Sequence, residues 1–125
     1  MEAKRTTKKA PQTSLQLAKQ AAKFALEKKA EDIAILDMRG VVNFCDFFVI
    51  ASGTSTRQAQ AIAEGVVDGF EALGSKIGRK EGFREGVWVL VDVGDVVVHV
   101  FEKETREFYG LDHLWQDAKL VKVPR

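Results

Sequence analysis

The stretch VWVLVDVGDVVVHVF, residues 87–101, decides how this chain folds. β-branched and aromatic residues alternate on both sides of one glycine, Gly94, the pattern of two antiparallel strands joined by a tight turn. Successive strand side chains point to opposite faces. Val87, Val89 and Val91 therefore share a face with Val96, Val98 and Val100, a surface suited to packing under a helix. The other face carries Trp88, Leu90, Val97, His99 and Phe101, with Asp92 and Asp95 near the turn. Taking Val93 and Gly94 as the turn sets Asp92 opposite Asp95, Leu90 opposite Val97 and Trp88 opposite His99. A large aromatic, an imidazole and carboxylates on one face suit contact with another molecule. A covering terminal helix explains the same pattern equally well.

Upstream of the hairpin the period changes. Ala59, Ile62, Ala63, Val66, Phe70 and Leu73 recur at helical spacing. Ser55 with Gln58 three residues on has capping-box spacing, and Gly74 is placed to end the helix. Gly65 and Gly69 lie inside it, each costing about 1 kcal/mol relative to alanine. With Ala61 they form a row of small residues, which predicts close approach of another backbone, the sheet before a second subunit. Ile33–Leu36 and Phe44–Ala51 read as two strands, and Thr13 with Gln16 opens a first helix over residues 14–29. Its apolar stripe of Leu15, Ala18, Ala22, Ala25 and Leu26 is thin, so the helix needs a partner surface. Residues 75–86 form a glycine-rich, charged loop with room for a short edge strand. Glu102–Ala118 holds short helical pieces. The order implies one α/β domain with a mixed β-sheet packed by helices.

Length and composition agree. The chain has 125 residues, 46% of them hydrophobic and 30% charged, which suits one ordinary folded domain. No run reaches the ~18 apolar residues of a membrane span, and the N-terminus has no apolar signal-type stretch, so a cytoplasmic location is expected. A single cysteine, Cys45, rules out an internal disulfide. The net charge of +1 hides an asymmetry: residues 1–30 carry eight basic and two acidic side chains, the remainder 11 basic and 16 acidic. A segment of +6 leads into a body of −5. Residues 1–12 read as a disordered basic arm able to touch RNA phosphates, residues 13–118 as the domain, and 119–125 as a C-terminal tail.

Few residues suggest catalysis. The Ser52–Ser55 turn before a helix suits capping better than phosphate binding, because it has no lysine and no phosphate-loop spacing. Asp92 and Asp95, or Asp37 or Asp46, have the chemistry to hold magnesium, although directly opposed carboxylates repel. Cys45 reads as an inert buried thiol. His99 reads as an imidazole packed on Trp88 and satisfied by one hydrogen bond rather than as a general base. The run TREFYGLDHLW, residues 105–115, is rich in the aromatic types that anchor protein interfaces. No aromatic, basic strand of the RNA-recognition type is present.

Taken in order, these stretches resemble the ribosomal silencing factors, or Iojap-like proteins. The resemblance rests on DIAILD (32–37), CDFFVIASG (45–53), residues 55–61, Glu81-Gly82, WVLVD (88–92), GDVVVHVF (94–101) and REFYGLDHLW (106–115). It spans about residues 15–118. It implies a nucleotidyltransferase-like fold used for binding without catalysis, and no cofactor. It also implies docking on large-subunit ribosomal protein L14 (uL14), a block on subunit joining when nutrients run short, a role in large-subunit biogenesis, and a homodimer when free. Under it, Trp88, Tyr109 and Leu111 become apolar anchors, and Asp92 and Asp95 pair with basic groups of L14. The body's net −5 suits a basic partner. Phe47 and Phe108 stand where the family commonly has tyrosine, and Asp112-His113 departs from its commoner pair of glutamate plus a basic residue. The alternative is a magnesium-dependent nucleotidyltransferase-like enzyme. Its two aspartates would be separated by two residues, where one is usual.

Overall fold

The computed structural model describes residues 13–110 and 118–124. In chain order the elements are α1 (Ser14–Glu27), β1 (Glu31–Asp37), β2 (Phe47–Gly53), α2 (Thr56–Ala72), β3 (Ile77–Glu81), β4 (Trp88–Val93), β5 (Val96–Glu102), α3 (Lys103–Tyr109) and β6 (Lys119–Val121). The strands form one sheet in the order β3-β4-β5-β2-β1-β6. Among the described strands only β2 and β5 pair in parallel; the other neighbours are antiparallel, so the sheet is mixed.

Both long helices start where side chains can satisfy the free backbone amides of a helix end. Thr13 accepts from the Gln16 amide, and the Gln16 side chain accepts in return from the Thr13 amide, completing a capping box. Ser55 caps α2 by accepting from the Gln58 amide at 3.1 Å. Helix α1 buries Ala18, Ala21, Ala22 and Ala25, and α2 buries Ala59, Ile62, Ala63, Val66, Val67 and Phe70. They cover one face of the sheet, where Ile35, Phe47, Val49, Ala51, Val89, Val91, Val93, Val96, Val98 and Val100 complete the main core. Each large aliphatic or aromatic side chain buried there contributes roughly 1.5–3 kcal/mol.

Of the small-residue row of α2, Gly65 and Gly69 face α1 and its C-cap rather than the sheet, and Ala61 is exposed. A Cβ on Gly69 would lie 2.7 Å from the Phe24 ring, and one on Gly65 would lie 2.7 Å from Lys28 Cγ. The glycines let the helices lie close enough for Phe24 to meet Phe70 edge-on, centroids 5.1 Å apart.

The hairpin register differs from the expected one by two residues. Val93 pairs with Val96, Asp92 with Val97, Leu90 with His99 and Trp88 with Phe101. The turn is Gly94-Asp95, and Gly94 takes φ +56 at its first position, which glycine tolerates and valine does not. Val93 stays in the ladder and is buried, which a turn position would forfeit. A shift of two keeps every side chain on its face. Val93 joins the valine core, while Val87, ahead of the strand, is 42% exposed.

Residues read as a C-terminal tail include a strand: Lys119–Val121 pairs with β1 at the sheet edge. The basic arm, residues 1–12, lies outside the described residues.

Candidate partner-binding surface

The second sheet face is covered by neither α1 nor α2. Leu36, Met38, Cys45, Phe48, Ile50, Val97 and Phe101 form a smaller core there, with Val41, Val42, Trp88, Leu90 and Ala118 packed against it. The segment between β1 and β2 supplies part of this cover, and α3 follows β5 without a break. Glu102 caps α3, accepting from the Glu104 and Thr105 amides and the Thr105 hydroxyl, and these bonds hold its carboxyl below the usual carboxylate range. Arg106 ties α3 down by donating to Ser52 Oγ at 2.8 Å and to the Asp32 carbonyl. Asp32 takes φ +49 where β1 slips register against β2, which turns that carbonyl out of the ladder.

This anchoring brings Tyr109 onto Trp88, ring centroids 5.0 Å apart, while Trp88 packs at a tilt on Phe101 at 4.9 Å. Tyr109 is 55% exposed. Behind Trp88, His99 is buried, with the Phe48 ring edge-on at 4.6 Å. The Trp88 indole N–H donates to His99 Nδ1 at 3.1 Å. Burial, with a smaller contribution from the Arg79 charge, pushes His99 down to about 4, so the imidazole is neutral near pH 7. The single hydrogen bond expected from the sequence is present, made to the diagonal neighbour instead of the opposite one.

The aspartates fare differently from each other. Asp92 faces Val97, and its Oδ2 forms an ion pair with Arg79 Nε at 3.2 Å, a partner that β3 supplies from the sheet edge. Asp95 sits exposed in the turn, its carbonyl bonding the amides of Asp46 and Phe47. The opposed carboxylate pair does not form. No group of three or more His, Cys, Asp or Glu side chains suited to a metal ion occurs among the described residues. Burial first, then the charges of Asp46, Asp92 and Asp95, raise the Cys45 thiol to about 11, so it stays protonated and poorly nucleophilic. No described helix is long and apolar enough to cross a membrane.

Of the expected anchors, Trp88 and Tyr109 come together, and Leu111 lies outside the described residues. Sequence reading missed two exposed apolar side chains on the same face. Phe44, 62% exposed, meets Phe48 at 6.1 Å, and Leu120, 75% exposed, lies opposite Leu36 on the edge strand. The run before β2 did contain Phe44. Nothing in the three-residue strand around Leu120 marked it.

These features define a small α/β domain with an aromatic surface on the sheet face that the long helices leave open. The chain belongs to the ribosomal silencing factor family: residues 11–125 match the model described as "Ribosomal silencing factor during starvation". It is 48% identical over 97 residues to the ribosomal silencing factor RsfS of Bacillus subtilis, covering 78% of this chain and 82% of that one. It is 36% identical over 110 residues to the chloroplastic protein Iojap of Zea mays, covering 88% and 48%. A mouse relative named "Mitochondrial assembly of ribosomal large subunit protein 1" is 35% identical over 92 residues, covering 71% and 40%. The fold matches a crystal structure from Chromobacterium violaceum with a TM-score of 0.82 at 32% identity, covering 91% and 92%. A Bacillus halodurans structure matches with a TM-score of 0.73 at 43% identity, covering 87% and 96%.

Proposed function

We propose that this chain acts by occupying a surface: it docks on the large ribosomal subunit through its second sheet face, with uL14 (L14) as the direct partner, and blocks joining of the small subunit. The names of its relatives, silencing factors and a large-subunit assembly protein, support the target. The observation that carries the docking face is the contact of Trp88 with Tyr109, an aromatic pair held by the sheet and by an anchored helix, with one ring more than half exposed. Rigid aromatic anchors of this kind dominate protein interfaces. Asp95, exposed in the turn at the other end of the hairpin, and the acidic body favour encounter with a basic ribosomal protein. Asp92 is committed to Arg79 and contributes through the local field more than as a direct contact.

In the free chain the same apolar face is covered by a second copy in a homodimer. Its exposed Phe44, Tyr109 and Leu120 supply apolar surface for that contact.

The test is sedimentation of the purified chain with large subunits that contain or lack uL14. Binding that requires uL14, and fewer whole ribosomes when the chain is added to purified subunits, are the expected results. Undiminished binding to subunits without uL14 overturns the docking site.

A further inference from the structure

The imidazole of His99 is anomalous where it stands. Only 5% of its surface is exposed, and its Nδ1 accepts the Trp88 indole N–H at 3.1 Å. A neutral imidazole that accepts at Nδ1 carries its proton on Nε2. That nitrogen is buried and has no hydrogen-bond partner. A buried polar group left unpaired is unfavourable and calls for an explanation. Packing does not supply one, because the surrounding side chains, Phe48, Trp88 and Phe101, would accept an apolar ring in the same place. What an apolar ring could not do is accept a hydrogen bond from Trp88.

We infer that His99 is a positioning residue for docking: by accepting the indole N–H it fixes the Trp88 ring between Phe101 and Tyr109 and withdraws that ring's one polar group from the surface. This rests on the docking reading above and adds a requirement to it. The indole N–H points inward to Nδ1, so the ring offers a partner hydrocarbon alone at this position. Without the acceptor, the N–H would face an apolar contact unpaired, and the ring would be free to leave its stack before each encounter. Both effects weaken binding: the first leaves a desolvated donor, the second adds an ordering cost. The specificity that follows is for an apolar patch on the partner opposite Trp88, with charge complementarity kept to the rim near Asp95.

The experiment uses the ¹⁵N-labelled full chain, its indole N–H signals, and its affinity for large subunits. Trp88→Phe assigns the Trp88 signal. His99→Phe, which keeps a ring and removes the acceptor, is expected to shift that signal upfield and speed its exchange with water. It should also weaken large-subunit binding about tenfold, the effect of one interfacial hydrogen bond. His99→Asn, whose side-chain oxygen sits near the place of Nδ1, is expected to recover part of both. Benzothienylalanine at position 88 keeps the ring shape and lacks the N–H. It tests the same bond without altering His99, and the same loss of ring order is expected from it. An unmoved indole signal in His99→Phe, or unchanged affinity there while Trp88→Ala binds poorly, overturns the inference and leaves the docking reading standing. Unchanged affinity in Trp88→Ala itself overturns both.

Discussion

The Phe24 ring occupies the space above Gly69, so that a Cβ on this glycine would lie 2.7–2.8 Å from three of its ring carbons. Helix propensity alone says that alanine at position 69 should stabilise α2 by about 1 kcal/mol. Overpacking against a ring itself wedged on Phe70 costs about 1–3 kcal/mol and wins. At Gly65 the neighbour is the side chain of exposed Lys28, which can swing away. Gly69→Ala should therefore lower stability in urea unfolding by about 1 kcal/mol, and Gly65→Ala should raise it by about 0.5–1 kcal/mol. Equal effects at the two positions would contradict the helix–helix contact.

Acid should act on the hairpin through His99. Its folded pKa lies near 4, below the ordinary 6.5. Above 6.5 the residue is neutral whether the chain is folded or not, and it adds no pH dependence. Between 6.5 and 4 the unfolded chain binds the proton and the folded one does not, so stability falls as pH falls. The full shift corresponds to about 3 kcal/mol. Unfolding curves of wild type and His99→Phe from pH 7.5 to 4.5 should diverge, with the slope shallower in the variant. Parallel curves would show that His99 titrates normally.

Trp88→Ala should weaken large-subunit binding by about 2 kcal/mol or more, and Tyr109→Ala by about 1–2 kcal/mol, because the two rings support each other at the surface. Sedimentation at graded subunit concentrations measures both. Tyr109→Ala should leave the thermal midpoint nearly unchanged, since its ring is largely outside the core.

The two aspartates should separate by assay. Asp95→Asn should lower the association rate with large subunits, most visibly at low salt, and leave stability unchanged. Asp92→Asn should shift stability by less than about 1 kcal/mol, the scale of a partly solvated pair with Arg79. Stopped-flow association and chemical unfolding distinguish them. A larger rate effect at position 92 than at 95 would reverse the assignment.

Much of the fold was legible because burial on a sheet imposes a strict alternation. The two faces of the hairpin, both helix caps and the mixed α/β architecture follow from residue type and spacing. The register was harder, since a shift of two leaves the alternation untouched; the conformational freedom of Gly94 decided it. The neighbour of Gly65 and Gly69 was misjudged because a row of small residues records closeness and not identity: the large partner, Phe24, lies forty-five residues upstream in α1. Trp88 and His99 were legible together from the alternation of the hairpin, whereas Tyr109 was joined to them only through the family resemblance. Arg79 was not, because an edge strand of mixed charge carries no signal for which carboxylate it will reach. The edge strand around Leu120 is too short for its own residues to specify it; β1 provides the template.

Placing α1 and α2 on the same side of the sheet divides the molecule's tasks between its two surfaces. The valine side is where most side chains are committed to holding the chain together, and changes there are felt as unfolding. On the other side, rings such as Tyr109 can be altered with little effect on the core. A change of side chain on that face can therefore alter what the surface presents without rebuilding the domain that carries it.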